Sequence, residues 1–270
     1  MRAPTLTERL AARERPARVP VMRQRWTDLL FLHWAWDPAA VQRTLPPGLT
    51  VDTFDGQAWL GLVPFCMHAV RPVGCPAVPG ISNFLELNVR TYVFDAQRRP
   101  GVWFYSLDAN SWLAVEIARR WFYLPYEHAV MSAVRVPATG EMAFVAQRRG
   151  REHESRFLYG ASTPAGEVAA DTLEFFLVER YRLFAHDARR SRLLTGRVAH
   201  APYRVAGAAV PVWDDAQLRL AGFDPEGVAP DHCCMADAVV VEVFPLEPVA
   251  EPARDFVVEG EALGETAAPA

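Results

Sequence analysis

Lysine is absent. All 28 residues counted together as Lys and Arg are arginine, so no side chain can form a Schiff base with a carbonyl substrate. A composition-wide preference for arginine accounts for the absence, and the chemical exclusion holds whatever its origin. An excess of positive charge is also missing. The 32 acidic residues outweigh the basic ones and leave a formal net charge of −4. No basic field exists to neutralise phosphates, and nucleic acid is not an expected partner. No stretch approaches the roughly 20 apolar residues of a membrane span. The arginine-rich opening (MRAPTLTERLAARERPARVP) is not followed by the apolar run of a secretory leader. No membrane partner is expected, and the expected location is the cytoplasm. Cysteine is scarce: Cys66, Cys75, Cys233 and Cys234 do not make a disulfide framework for a chain of 270 residues. GxSxG, P-loop and GxGxxG patterns are missing. Asp231-His232-Cys233-Cys234 holds metal-ligand types but lacks the second half of a zinc pattern. Neither a metal nor a cofactor is expected.

What is present is an ordinary globular composition, 51% hydrophobic and 22% charged, enough to bury a core. The expected organisation is an arm at residues 1–21, either mobile or a short surface helix, then one continuous domain over 22–250. A Glu/Ala/Pro/Gly-rich tail at 251–270 is expected to be disordered. Asp28 to Trp36 has the composition of a strand. Asp37-Pro38 reads as an N-cap followed by proline at the first helical position. Thr50 to Phe54 and Gln57 to Met67 are predicted to form a hairpin around Asp55-Gly56, since Asp-Gly suits a type I′ turn. Phe84 to Phe94 and Val102 to Leu107 form a second predicted pair. Further strands are expected at 130–136, 142–148 and 238–244. Helices are expected at 111–122 and at 172–185, the latter opened by Asp171 and Glu174 as a capping box and striped by Leu173, Phe176, Leu177, Tyr181 and Phe184. Strands outnumber helices, so the fold class is mainly β (α+β).

The segment FLELNVRTYVF carries the chemistry. In a strand alternate residues share a face, which puts Phe84, Glu86, Asn88, Arg90 and Tyr92 together and leaves Leu85, Leu87, Val89, Thr91 and Val93 on a core face. The first face is aromatic at its ends and polar in its middle. It either meets water or lines an enclosed cavity in which Glu86 and Arg90 satisfy each other or a ligand between them. In WFYSLDANS, Phe104, Ser106 and Asp108 fall on one face, with Asp108 suited to capping the turn that follows. LPYEHA offers Tyr126, Glu127 and His128 in a row just past a helix end.

These segments, with WTDLLFLHWAWDPAAVQRTLPPGLTVDTFDGQAWLGLVPF, PGVWFYSLDA and LEFFLVERYRLF, resemble the YqjF-like family of uncharacterised bacterial proteins over most of residues 22–210. That family is grouped with the acetoacetate decarboxylase superfamily, and the resemblance implies a closed antiparallel β-barrel around a hydrophobic cavity. It also implies that Phe84-Leu85-Glu86 corresponds to the decarboxylases' Tyr-Asn-Glu strand, whose glutamate lies in the active site. Gly101-Val102-Trp103-Phe104 and Asp108-Ala109-Asn110 correspond to their Gly-Tyr-Phe strand and Asp-Asn-Asp-type turn. Tyr126 and Glu127 stand where those enzymes have the Schiff-base lysine and its lysine neighbour. A phenol cannot form the imine that serves as electron sink, so this chain is not expected to carry out that decarboxylation.

Three functions remain open. The first is a barrel that binds a small, partly apolar or aromatic, anionic compound, with Arg90, Asn88, Arg71, Phe104, Ser106 and Trp34 as contact residues. The second is a lysine-independent acid/base enzyme of lyase or isomerase type acting on a carbonyl or carboxylate compound, with Glu86, Tyr126 and His128 as catalytic residues. The third is an interaction protein with a filled barrel. The expected partner is a small-molecule ligand, with self-association into a homo-oligomer left open.

Overall fold

The computed structural model describes residues 2–250, so the tail expected to be disordered lies outside the described residues. The opening residues form a helix, α1 (Leu6–Ala11), closed by a capping box between Thr5 and Glu8. Arg9, Arg13 and Arg15 reach Asp52, Glu179 and Glu242 on the body of the protein. A helix fastened by ion pairs therefore stands where a mobile arm was one of two expectations. Strands β1 (Met22–Thr27) and β2 (Leu29–Trp36) are separated only by Asp28, which adopts a positive φ of 53°. Asp37 then accepts hydrogen bonds from the Ala39 and Ala40 amides and starts α2 (Pro38–Gln42), as its sequence predicts.

The Asp55-Gly56 turn has the two positive φ angles expected of it, 49° and 78°. The long hairpin around it does not form. Only Phe54 and Gln57 pair across the turn, and β3 (Leu49–Val51) pairs with β5 (Phe84–Asp95) instead of β4 (Ala58–Pro72). One edge of β4 is taken by β5, and the other by β2 and then β1, so no edge is left for β3. Strand β6 (Pro100–Ala109) completes the β5 hairpin. The predicted helix follows as α3 (Trp112–Trp121), capped by Ser111.

Strands β7 (Tyr126–Arg135), β8 (Met142–Arg148) and β9 (Ser155–Ala161) form a meander, and the short β10 (Gly166–Glu167) precedes α4 (Leu173–Val178). The chain continues through β11 (Arg182–Asp187), β12 (Arg192–Ala199), β13 (Arg204–Val212), α5 (Ala216–Leu220), β14 (His232–Ala236), β15 (Val239–Val243) and β16 (Glu247–Pro248). The expected 172–185 helix is thus cut to α4. Its N-cap is Thr172, while Asp171 sits outside at φ 66°. The Arg180 Nε–H caps the Phe176 carbonyl, and residues 182–187 pair with β12 over six positions. Sheet pairing overrides the helical spacing beyond Val178, so Tyr181 and Phe184 leave the stripe.

The pairings close into two circuits that share β4, β5 and β6 as a common wall. One runs through β11, β12, β15 and β1; the other runs through β7, β8, β9, β13, β14 and β2. The wall has a core on each face. Trp59, Val63, Phe65, Phe84 and Tyr92 belong to one apolar cluster, and Leu60, Leu62, Leu87 and Val89 to the other. This explains why ten successive residues of β4 are buried, a pattern no half-solvated strand shows. β6 meets β11 and β7 in parallel, so the barrel is mixed rather than wholly antiparallel as expected. Among the described residues no helix is long and apolar enough to cross a membrane.

The β6–β11 junction depends on Gly101. A Cβ there would lie 2.8 Å from the Arg182 carbonyl and 2.8 Å from the Phe184 ring. Gly101→Ala is expected to cost about 1–3 kcal/mol through forced displacement of packed backbone, read as a lower urea midpoint. An unchanged midpoint would mean that the two strands tolerate separation at this point.

Candidate functional site

Glu86, Asn88, Arg90 and Tyr92 do share a face of β5, and it points inward. Glu86 is 3% exposed, Asn88 4% and Tyr92 0%. Across the pair with β4, Glu86, Asn88 and Arg90 lie opposite Phe65, Val63 and Gly61. Gly61 leaves the space that the Arg90 side chain crosses: an added Cβ would stand 3.2 Å from its Cγ and 3.3 Å from the Tyr92 hydroxyl.

Tyr126 reaches Glu86 from β7, which lies parallel to β6 with Tyr126 beside Leu107. Its hydroxyl donates to Glu86 Oε2 at 2.6 Å, and the Asn88 amide donates to Oε1 at 3.2 Å. Burial pushes the Glu86 carboxyl up to about 7, against the pull of these two hydrogen bonds and the Arg90 charge. Burial and the neighbouring carboxylate push the Tyr126 phenol well above its ordinary value, so it stays a proton donor to Glu86. The pair amounts to a carboxyl that exchanges its proton near neutrality, held by a phenol that does not ionise. Tyr126→Phe is expected to move the Glu86 titration further upward, because a hydrogen bond to the ionised form is lost. Carbon-13 titration of the carboxyl reads the shift directly, and an unmoved midpoint would disconnect the two residues.

Glu86 and Arg90 do not satisfy each other. The Arg90 Nη2 donates to the Tyr92 hydroxyl at 3.3 Å and to the Leu177 carbonyl at 3.2 Å, and its guanidinium lies over Phe31 at 5.1 Å. Its Nε is buried without a partner, as is Asn88 Oδ1. One donor and one acceptor on the Glu86 face are therefore left open, an unusual condition for buried polar atoms.

Of the other candidates, Phe104 comes to this region, opposite Arg90 and packed against the same cluster. Ser106 does not. The register of β5 and β6 shifts so that Val89 faces Ser106 while Arg90 faces Phe104, and Tyr105 is the extra residue of a bulge. Beyond it the faces exchange: Leu107 packs with the Glu86 cluster, while Ser106 and Asp108 bond to Arg148 of β8. Trp34 faces the second core, where it stacks edgewise on Trp213 and donates to the Val228 carbonyl. His128 bonds Glu116 of α3 at 3.3 Å rather than Glu86. Arg71 is at the far end of β4 and donates to the Ala69 carbonyl.

Sequence reasoning missed His33. It is fully buried, with Nε2 2.8 Å from the Tyr92 hydroxyl and Nδ1 3.1 Å from His232 Nδ1. The signal was available in LLFLHWAW, where alternation puts His33 on the face of Leu29 and Phe31, both members of the Glu86 cluster. Two clefts open at the surface. One of about 280 Å³ is lined by Glu174, His232, Cys233 and Cys234, with residues of the 166–172 segment and of β13. The other, of about 340 Å³, lies between Arg148, Arg151, His153 and α5.

The family model DUF2071, described as an uncharacterized conserved protein, matches residues 23–240. The uncharacterized protein YqjF of Bacillus subtilis (strain 168) is 35% identical over 199 residues, covering 73% of this chain and 80% of its own. Among solved structures, the enduracididine biosynthesis enzyme MppR complexed with pyruvate aligns with a TM-score of 0.57 at 14% identity, covering 87% of this chain and 93% of MppR. Acetoacetate decarboxylase from Legionella pneumophila aligns at 0.58 and 11% identity, covering 87% and 92%. These structural likenesses establish an acetoacetate decarboxylase-like fold, and the chain belongs to the DUF2071 family of uncharacterised proteins.

Proposed function

We propose that this protein binds a small molecule inside the barrel, one that carries a carboxylate or carbonyl group on a partly apolar or aromatic body. The observation that carries this reading is the half-buried Arg90 side chain, which pairs with no carboxylate among the described residues and whose Nε is buried without a partner, as is Asn88 Oδ1 on the same face of β5. A ligand oxygen facing Arg90 and a ligand donor facing Asn88 would complete both, while Phe31, Phe104 and Tyr92 supply apolar contact. MppR, a protein of the same fold, has been captured with pyruvate, a compound of this chemical type. Without lysine, bound ligand is not converted through an imine. The expected setting is the cytoplasm, with a small-molecule partner and no nucleic acid, membrane, metal or cofactor.

The test is calorimetric titration of a panel of keto acids and aromatic carboxylates against the protein and its Arg90→Gln variant. Binding by the unaltered protein, weakened about tenfold or more by loss of a charge-assisted contact of at least 1.4 kcal/mol, supports the proposal. Binding that is indifferent to Arg90, or none across the panel, overturns it.

A second reading, acid/base catalysis on the same ligand class, is favoured by one observation. Glu86 titrates near 7, where a general acid or base works best at neutral pH. Turnover abolished by Glu86→Gln with ligand affinity retained would select it over binding alone.

A further inference from the structure

The 280 Å³ cleft beside β14 and the buried face of β5 are joined by four side chains in line. From the outside, Glu174 Oε1 lies 3.5 Å from His232 Nε2. The two imidazoles meet at 3.1 Å through their Nδ1 atoms, and His33 Nε2 meets the Tyr92 hydroxyl at 2.8 Å. Tyr92 in turn accepts from Arg90 at 3.3 Å. Only one arrangement of protons satisfies every contact. With both rings neutral, the Tyr92 O–H donates to His33 Nε2, the acceptor within its reach, and its oxygen accepts from Arg90. His33 must then carry its proton on Nδ1 and donate it to His232 Nδ1. His232 carries its proton on Nε2, facing the Glu174 carboxylate. The opposite polarity would leave Glu174 against a bare ring nitrogen and the Tyr92 hydroxyl proton without an acceptor.

We propose that Glu174, His232, His33 and Tyr92 form a proton relay that connects the cleft to the interior of the barrel and makes Tyr92 a proton-accepting group there. The proton balance closes. When an acidic group of a compound held by Arg90 gives a proton to the Tyr92 oxygen, Tyr92 passes its own O–H proton to His33 Nε2. His33 then passes its Nδ1 proton to His232 Nδ1, and His232 passes its Nε2 proton to the Glu174 carboxylate, which releases it to the cleft. Each imidazole returns to neutrality with its tautomer exchanged, and ring reorientation or the return shift resets it. No oxidant or cofactor is needed. Burial keeps both histidines on the neutral side of their ordinary range, with the Arg90 charge and the other imidazole adding to the effect on His33. That neutrality is what lets each ring act as both donor and acceptor. The charged and titratable groups around the pair are Arg90 and Tyr92 from β5, Cys234 from β14 and Glu174 from α4. The relay's purpose rests on the binding function proposed above, but its existence does not.

The experiment is nitrogen-15 histidine spectroscopy on the full, ligand-free chain. The expected result is His33 protonated on Nδ1 and His232 on Nε2 at neutral pH, with saturation transfer from water to the His33 Nδ1 proton. His232→Phe should abolish that transfer. Glu174→Gln, at a half-exposed position where folding is not at issue, should preserve both tautomers yet also abolish the transfer, since an amide accepts a hydrogen bond but cannot hand on a proton. Inverted tautomers, a charged His33, or transfer that persists in Glu174→Gln would overturn the relay. Because no ligand is used, failure of the ligand panel leaves this outcome intact, and failure here leaves the Arg90 binding result intact.

Discussion

Glu86→Gln is expected to make the protein more stable at pH 8 while changing little at pH 5. The folded-state carboxyl titrates at about 7, against an ordinary value of 4.5, so the native state holds this proton more tightly than the unfolded chain does. The favourable contribution is full below 4.5 and is lost as pH rises through about 7. Above that, the buried charge costs about 3 kcal/mol relative to the protonated form. Glutamine reproduces the protonated form: its oxygen can still accept from Tyr126, and its amide can donate to Asn88 Oδ1, the atom now without a partner, after the Asn88 amide turns over. Urea denaturation at several pH values from 5 to 8 checks this. The unaltered protein should lose stability across that window relative to the variant. His33 and His232 act in the other direction, since their lowered values cost stability as pH falls below about 6.5, but they act equally on both proteins and cancel in the difference. Parallel pH profiles would show that Glu86 is not the buried titrating group.

The second large effect concerns the end of the barrel under α1. Asp52 is wholly buried, accepts two hydrogen bonds from Arg9 at 2.6 and 2.7 Å, and accepts a third from Arg180 at 2.8 Å. Arg180 has a side chain only 3% exposed and stacks on Phe176 at 4.2 Å. Burial pulls its guanidinium down to about 10 even with Asp52 beside it. Asp52→Ala strands that charge without its counterion and is expected to cost about 3–5 kcal/mol, the usual penalty for breaking a buried pair from one side. Arg9→Ala should cost distinctly less, because Asp52 keeps Arg180 and Arg9 retains more solvent at 13% exposure. Guanidinium denaturation of both variants gives the ranking. An Asp52→Ala penalty no larger than that of Arg9→Ala would mean that Arg180 finds water or another acceptor when Asp52 is gone.

Much of the wall was legible in the amino-acid pattern. The β5–β6 hairpin, α3 with its Ser111 cap, and the Asp37-Pro38 helix start all follow from local rules of alternation, capping and proline placement. The inward face of Glu86, Asn88, Arg90 and Tyr92 followed from period-two spacing once it was granted that the strand was buried. Three features were not legible. The bulge at Tyr105, which sends Ser106 away from Glu86, depends on how β5 and β6 settle against each other. The end of α4 at Val178 depends on β12 being available to pair with residues 182–187. The shared wall with a core on each face depends on pairings between strands more than a hundred residues apart, such as β1 with β15 and β2 with β14.

By itself, the chain of residue types excludes the imine, because an arginine or a phenol cannot take the place of a nucleophilic amine. It also assigns one polar and one apolar side to β5, because successive residues of an extended backbone point in opposite directions. Everything that concerns meeting belongs to the tertiary structure: Tyr126 at the Glu86 carboxyl, His33 between Tyr92 and His232, and Arg90 left without a carboxylate. Parity along a strand is a local property of covalent geometry, whereas the neighbour across a barrel is chosen by register and closure, which only the folded whole specifies.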